Sequence, residues 1–124
     1  MKKLILASLL LSTVLLSAGS AYAAPLYFPH IDTSLPWQTE VAVINTSDQT
    51  VNGTLRALSN TGQLIETKAV TLPARGRWQI TVADEFTNHT DISYIIFDTA
   101  SAAVQGYTKF YQAGKGNIGR RSPR

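Results

Sequence analysis

Residues 37–58 read WQTEVAVINTSDQTVNGTLRAL, and the fold is decided in this stretch. Thr39, Val41 and Val43 alternate with Glu40, Ala42 and Ile44; further on, Val51, Gly53, Leu55 and Ala57 alternate with Asn52, Thr54, Arg56 and Leu58. A period of two sends successive side chains to opposite faces of an extended chain, so each segment reads as a β-strand with one face on a core. Between them lie Asn45, Thr46, Ser47 and Asp48. Short polar side chains of this kind hydrogen-bond their own backbone and favour a turn. A sheet with one wet face needs a second layer over the other, so the expected fold is all-β: an immunoglobulin-like antiparallel β-sandwich.

The same alternation continues outward from this pair. Pro25 and Pro29 bracket Leu26–Phe28, which suits a short edge strand, because proline cannot donate to a ladder. Residues 30–36 form a loop leading into Trp37, whose ring is expected to plug one mouth of the sandwich. On the far side, residues 59–62 make a turn in which Gly62 is free to take positive φ. Residues 63–72 form a strand with apolar residues on both faces, so either face can be the inner one. After the turn at 73–76, Trp78, Ile80 and Val82 share one face of a strand over 77–82. Residues 83–86 are too short and acidic for a strand and suit a single helical turn crossing between sheets. The near-continuous apolarity of 92–97 marks a central strand, and 103–111 closes the fold with Val104, Gly106, Thr108 and Phe110 on one side. That makes about seven strands with turn signals every 8 to 12 residues, the sandwich pattern, with a closed barrel as the alternative.

The two ends differ from this body. Lys2 and Lys3, an apolar run over 4–16 and the small-x-small triplet Ala21-Tyr22-Ala23 have the form of a cleaved signal-peptide helix over residues 1–23. The run is shorter than the roughly 20 residues of a membrane span, so no transmembrane segment is expected after cleavage. Removing 23 of the 124 residues leaves 101, enough for one modest core over 24–111. There is no cysteine, so burial and sheet hydrogen bonds must supply the stability. Charge is divided unevenly: residues 24–108 hold eight acids and four bases, whereas from Lys109 onward there are five bases and no acid. Residues 112–124 therefore read as a flexible basic tail, attractive to polyanions or to the acidic body of another copy.

Four segments together resemble a family of short exported bacterial sandwich proteins and modules. They are Tyr27-Phe28-Pro29-His30, the run from Trp37 to Asn45, Leu72-Pro73 with Gly76-Arg77, and Gly106-Tyr107-Thr108-Lys109-Phe110-Tyr111. The resemblance covers roughly residues 26–114 and implies an immunoglobulin-like sandwich and export, periplasmic or to the cell surface. It carries no activity and no functional residues.

The chemistry-bearing candidates are sparse. No Gly-x-Ser-x-Gly elbow, phosphate loop or His-Glu-x-x-His occurs, so no enzyme and no cofactor are expected. Two His-x-Asp triplets place His30 with Asp32 and His89 with Asp91; in extended chain each pair projects to one side, and two such loops meeting would offer four ligands to a metal. The same residues serve equally as polar caps of turns. Trp37, Tyr107 and Tyr111 offer flat rings to a sugar or peptide, or are corner pieces of the core, and Lys115, Arg120 and Arg121 offer charge to an envelope polyanion. The expected role is that of a non-catalytic exported module binding a protein or envelope component, or associating with itself, through loops or free sheet edges; the supporting edge is Leu26–Phe28 or the last strand. A small metal- or carbohydrate-binding protein is the alternative, and no specific nucleic-acid partner is expected.

Overall fold

The alternation seen in the sequence resolves into two antiparallel sheets with their apolar faces together. In the computed structural model, residues 25–114 are described; residues 1–24, with the expected signal peptide, and the basic residues from Lys115 onward lie outside them. The strands are β1 (Leu26–Phe28), β2 (Trp37–Asn45), β3 (Val51–Leu58), β4 (Leu64–Leu72), β5 (Arg77–Thr81), β6 (Tyr94–Thr99) and β7 (Val104–Gln112). A single helical turn, α1 (Val82–Glu85), follows β5 as the acidic segment predicts, and a 3-10 turn at His89–Asp91 precedes β6. One sheet has the order β1-β6-β3-β4 and the other β5-β2-β7. Two separate layers make this a sandwich and not the closed barrel.

The strand order departs from the constant-type immunoglobulin one. There the first strand pairs with the second and the sixth with the seventh; here β1 pairs with β6 and β7 with β2. Only the β3–β4 hairpin stays within one sheet, and every other connection crosses between layers. The reason is that a period of two specifies that a face is buried, while the choice of neighbour depends on loops long enough to cross, such as residues 29–36 and 100–103.

The core lies between Val41 and Val43 of β2, Leu55 and Ala57 of β3, and Ile95 and Phe97 of β6, all fully buried. Gly53 is required where Phe97 presses on β3: a Cβ there would lie 2.3 Å from the Phe97 ring. Gly106 plays the same part beneath Phe28, with 2.8 Å to that ring, and so lets β1 settle over β7. Gly62 takes φ +84° in the β3–β4 turn, the left-handed value that its place in the sequence predicts. For β4, register settles the open question of its inner face: Leu72, Val70, Lys68 and Glu66 sit opposite Val51, Gly53, Leu55 and Ala57.

Two buried polar residues pin the connections. Asn45, fully buried, donates from Nδ2 to the carbonyls of Gln49 (2.6 Å), Pro73 (3.0 Å) and Leu72 (3.3 Å). Its Oδ1 accepts from the N–H and hydroxyl of Ser47 at 3.0 and 2.8 Å, so every polar atom of the side chain is satisfied. Thr39, also fully buried, holds the loop before β2: its Oγ1 accepts from Asp32 N–H and donates to Asp32 C=O, both at 2.8 Å. The mouth of the sandwich nearest that loop is filled by Ile31, which is buried. Trp37 is 40% exposed and stands at the rim, which corrects the expectation that it plugs the opening. A loop that must reach back to Thr39 brings Ile31, not the strand's first residue, over the core.

Candidate interaction edge

A sandwich of two open sheets has four edge strands, and an edge exposes a row of unpaired N–H and C=O groups unless something blocks it. The four differ sharply. β1 has three residues between two prolines, too short to template a partner strand. β5 has five residues and runs directly into α1. β4 is long but sends two charges inward. Glu66 Oε1 accepts the Thr87 N–H at 3.0 Å, while Lys68 Nζ lies 5.5 Å from the Phe86 ring centre and 3.8 Å from Glu85 Oε1. Inward charges of this kind guard an edge, and here they also tie α1 and Phe86 into the flank between β4 and β5.

β7 lacks each of these guards. It pairs over all nine residues with β2, from Trp37 opposite Gln112 to Asn45 opposite Val104, and among the described residues no strand lies on its other side. It contains no proline, and Lys109 is its one charge. Its inner face carries Val104, Gly106, Thr108, Phe110 and Gln112, and its outer face Gln105, Tyr107, Lys109 and Tyr111, as register against the buried Thr39, Val41 and Val43 requires. Phe110 is 42% exposed, with the His30 ring tilted against it at 5.2 Å between centroids.

On the outer face two tyrosines reach across β2. Tyr107 bonds the Arg77 guanidinium through its hydroxyl, lies 5.7 Å from that group across its ring, and donates to Glu40 Oε1 at 3.4 Å. The Tyr111 hydroxyl stands 3.3 Å from Thr81 Oγ1, and Lys109 Nζ is 5.8 Å from the Tyr111 ring centre. These contacts hold β7 flat against β2 and β5, so the unpaired margin is carried on a braced sheet. Lys109, Phe110, Glu40 and Arg77 were not singled out from sequence; the alternation that assigns faces to β7 was the signal that could have found the first two.

The His-x-Asp triplets fall close to each other without converging. Thr33 Oγ1 donates to the His89 carbonyl at 3.1 Å, which leaves His89 Nδ1–H to donate to Thr33 Oγ1 at 2.9 Å. The two loops thus meet through Thr33. His30, however, is turned to Phe110, and Asp91 is exposed with its N–H on the Asn88 carbonyl at 3.0 Å. Asp32 accepts from both the hydroxyl and the N–H of Ser34, and these bonds hold its carboxyl below the usual range. Among the described residues no three histidine, aspartate or glutamate side chains come together to hold a cation, so the four-ligand arrangement is not formed. Ser34 and Thr33 have claimed Asp32 and His89, and Phe110 has claimed His30. Of the remaining predicted residues, Trp37, Tyr107 and Tyr111 lie on the β2–β7 pair, and Lys115, Arg120 and Arg121 lie outside the described residues.

The outer face of the four-stranded sheet has a shallow groove lined by Asn52, Thr54, Ala69, Thr71 and Asp98. Its polar atoms hold one another: Thr71 Oγ1 donates to Asn52 Oδ1 at 2.9 Å, and Asp98 is bound by Arg56, whose guanidinium it keeps still more firmly protonated. Among the described residues no helix is long and apolar enough to cross a membrane. Comparison of the chain with protein-family models, with curated proteins and with solved structures finds no match.

Proposed function

We propose that this chain is an exported, non-catalytic β-sandwich module, periplasmic or at the cell surface, that binds a protein or envelope component by strand addition along β7. It is immunoglobulin-like in its two stacked antiparallel layers while keeping its own strand order. Export follows from the leader-like residues 1–23. The observation that carries the binding mode is β7 itself: nine residues, braced on one side, unpaired on the other, free of proline and of inward charge. Main-chain hydrogen bonds supply affinity in such pairing, and alternate side chains supply selectivity.

Adjacent residues of a strand point their N–H groups to opposite sides, so of Thr108→Pro and Lys109→Pro one removes a β2 ladder bond and the other only the outward N–H. The variant that keeps the wild-type melting temperature is the edge-blocked one. With tagged chain recovered from envelope fractions, the proposal expects a partner bound by wild type and lost by that variant. Equal recovery by both removes strand addition on β7 from the account.

A further inference from the structure

Resting on that reading of β7, we propose that the strand it accepts is β7 of a second copy of this chain, antiparallel about a two-fold axis at Thr108. A two-fold perpendicular to the sheet keeps inner residues beside inner residues, so only registers in which a residue faces itself continue both faces. Thr108 is the midpoint of Val104–Gln112, and with Thr108 facing itself all nine residues are paired.

In this register the side chains complement one another. Gly106 faces Phe110 of the second copy. Gly106 brings no side chain of its own to this pair: the buried Phe28 ring already occupies the place of its Cβ, and the half-exposed Phe110 ring of the second copy comes to lie beside that ring. Tyr107 faces Lys109 of the second copy, an ammonium beside an aromatic ring whose hydroxyl already reaches Glu40 at 3.4 Å, so a carboxylate lies just beyond it. Lys109 adopts the same kind of contact within its own chain, over Tyr111 at 5.8 Å. Gln105 faces Tyr111, and no like charges sit directly opposite each other.

Neighbouring registers do worse. Centring on Lys109 sets two ammonium groups directly opposite each other, which is destabilising on a sheet. Centring on Tyr107 carries Tyr111 and Gln112 past Val104 and leaves them without a strand opposite. The single lysine that gives an isolated edge its only protection thus becomes a register marker when two copies meet. A strand pair alone buries little area, in the class of weak, concentration-dependent contacts.

The chain has no cysteine, so disulfides form only where one is introduced. Facing residues of antiparallel strands lie about 4.5–5.5 Å apart between Cα atoms, within disulfide reach, whereas diagonal neighbours at about 7–8 Å are not. The purified chain carrying Thr108→Cys is expected to oxidise mostly to a covalent dimer, and Gln105→Cys, which keeps Lys109 and faces Tyr111, to remain mostly monomeric although it is the more exposed position. Both variants should melt like wild type when reduced. Sedimentation velocity of wild type should show a monomer–dimer shift with rising concentration. No preference of Thr108→Cys over Gln105→Cys, or a monomer up to millimolar protein, overturns self-pairing. If the edge-blocked proline variant still loses an envelope partner in that case, strand addition stands and only the second copy falls; if it does not, both fall.

Discussion

Asn45→Ala tests how the sandwich is tied at one end. The side chain makes three donations, to Gln49, Pro73 and Leu72, and accepts twice from Ser47. Gln49 and Ser47 lie where water reaches, so their groups are readily re-satisfied. The Leu72 bond is buried and the Pro73 bond partly so, and a buried acceptor left without its donor costs about 1–3 kcal/mol. The Pro73 carbonyl keeps the Gly76 N–H at 2.8 Å, so the buried Leu72 acceptor and the small void left by the amide carry the loss, about 2 kcal/mol. For a domain of this size that lowers Tm by about 8–16 °C. Urea titration followed by the fluorescence of Trp37 and Trp78 measures it, with an unchanged m-value confirming that the native and unfolded states keep their surfaces. Asn45→Asp should be at least as harmful at neutral pH, because it aims a carboxylate at carbonyl oxygens. Its folded form favours the protonated acid, so its deficit relative to Asn45→Ala should shrink as pH falls through the carboxylate range. A loss below about 1 kcal/mol for Asn45→Ala would refute the reasoning, for it would mean that the carbonyls find other donors and the β2–β4 tie is incidental.

Gly53→Ala should destabilise by about 3 kcal/mol, at the upper end of overpacking, because the Asp98 carbonyl at 2.8 Å is backbone and cannot step aside as the Phe97 ring can; adding Phe97→Leu should recover part of the loss, and no recovery in urea titration would show that the backbone contact dominates. Thr39→Val keeps shape but removes both bonds to Asp32, so a loss of about 2 kcal/mol is expected together with faster hydrogen exchange at the Asp32 amide; unchanged exchange would show that the loop is held elsewhere. The Asp32 carboxyl is held low by Ser34, so the bond's contribution is fully present above the unfolded-chain pKa and disappears as pH drops through the lower folded value. NMR titration should find the Asp32 midpoint rising toward the ordinary value in Ser34→Ala, and an unmoved midpoint would clear Ser34 of the role.

What was legible in the sequence follows a physical line. Alternation in 37–45 and 51–58 fixed strands and faces because a one-residue slip would turn every valine outward. The edge position of Leu26–Phe28, the left-handed Gly62 and the helical turn after β5 were equally readable, since proline, glycine and a short acidic stretch act locally. Strand order was not, because five connections cross between sheets and no local residue records which neighbour a strand will find. Lys68 and Glu66 hid the inner face of β4: two charges on the buried side run against the pattern, and their partners Phe86, Glu85 and Thr87 are contributed by a distant segment. The same locality misled at the His-x-Asp triplets, whose spacing suits a cation while the nearest hydrogen-bond partners are Ser34 for Asp32 and Thr33 for His89.

The two flanks of the sandwich then explain why one edge matters more than the rest. Between β4 and β5 the gap is closed by α1, and Val82 and Phe86 bring apolar bulk into the core while Glu66 and Lys68, reaching inward from β4, hold the crossing. Between β1 and β7 the closure is a single stack of Phe28 on Gly106, supported by His30 against Phe110. That stack seals the core, since Phe28 is buried, but it adds no hydrogen-bonding partner to the margin of β7. A strand arriving there would satisfy the open ladder and cover the exposed part of Phe110 in one step, leaving Phe28 seated on Gly106. Anywhere else on the perimeter an added strand would have to displace a proline, a helical turn or an inward charge. The preference for β7 is therefore a property of how the other three edges are blocked as much as of β7 itself.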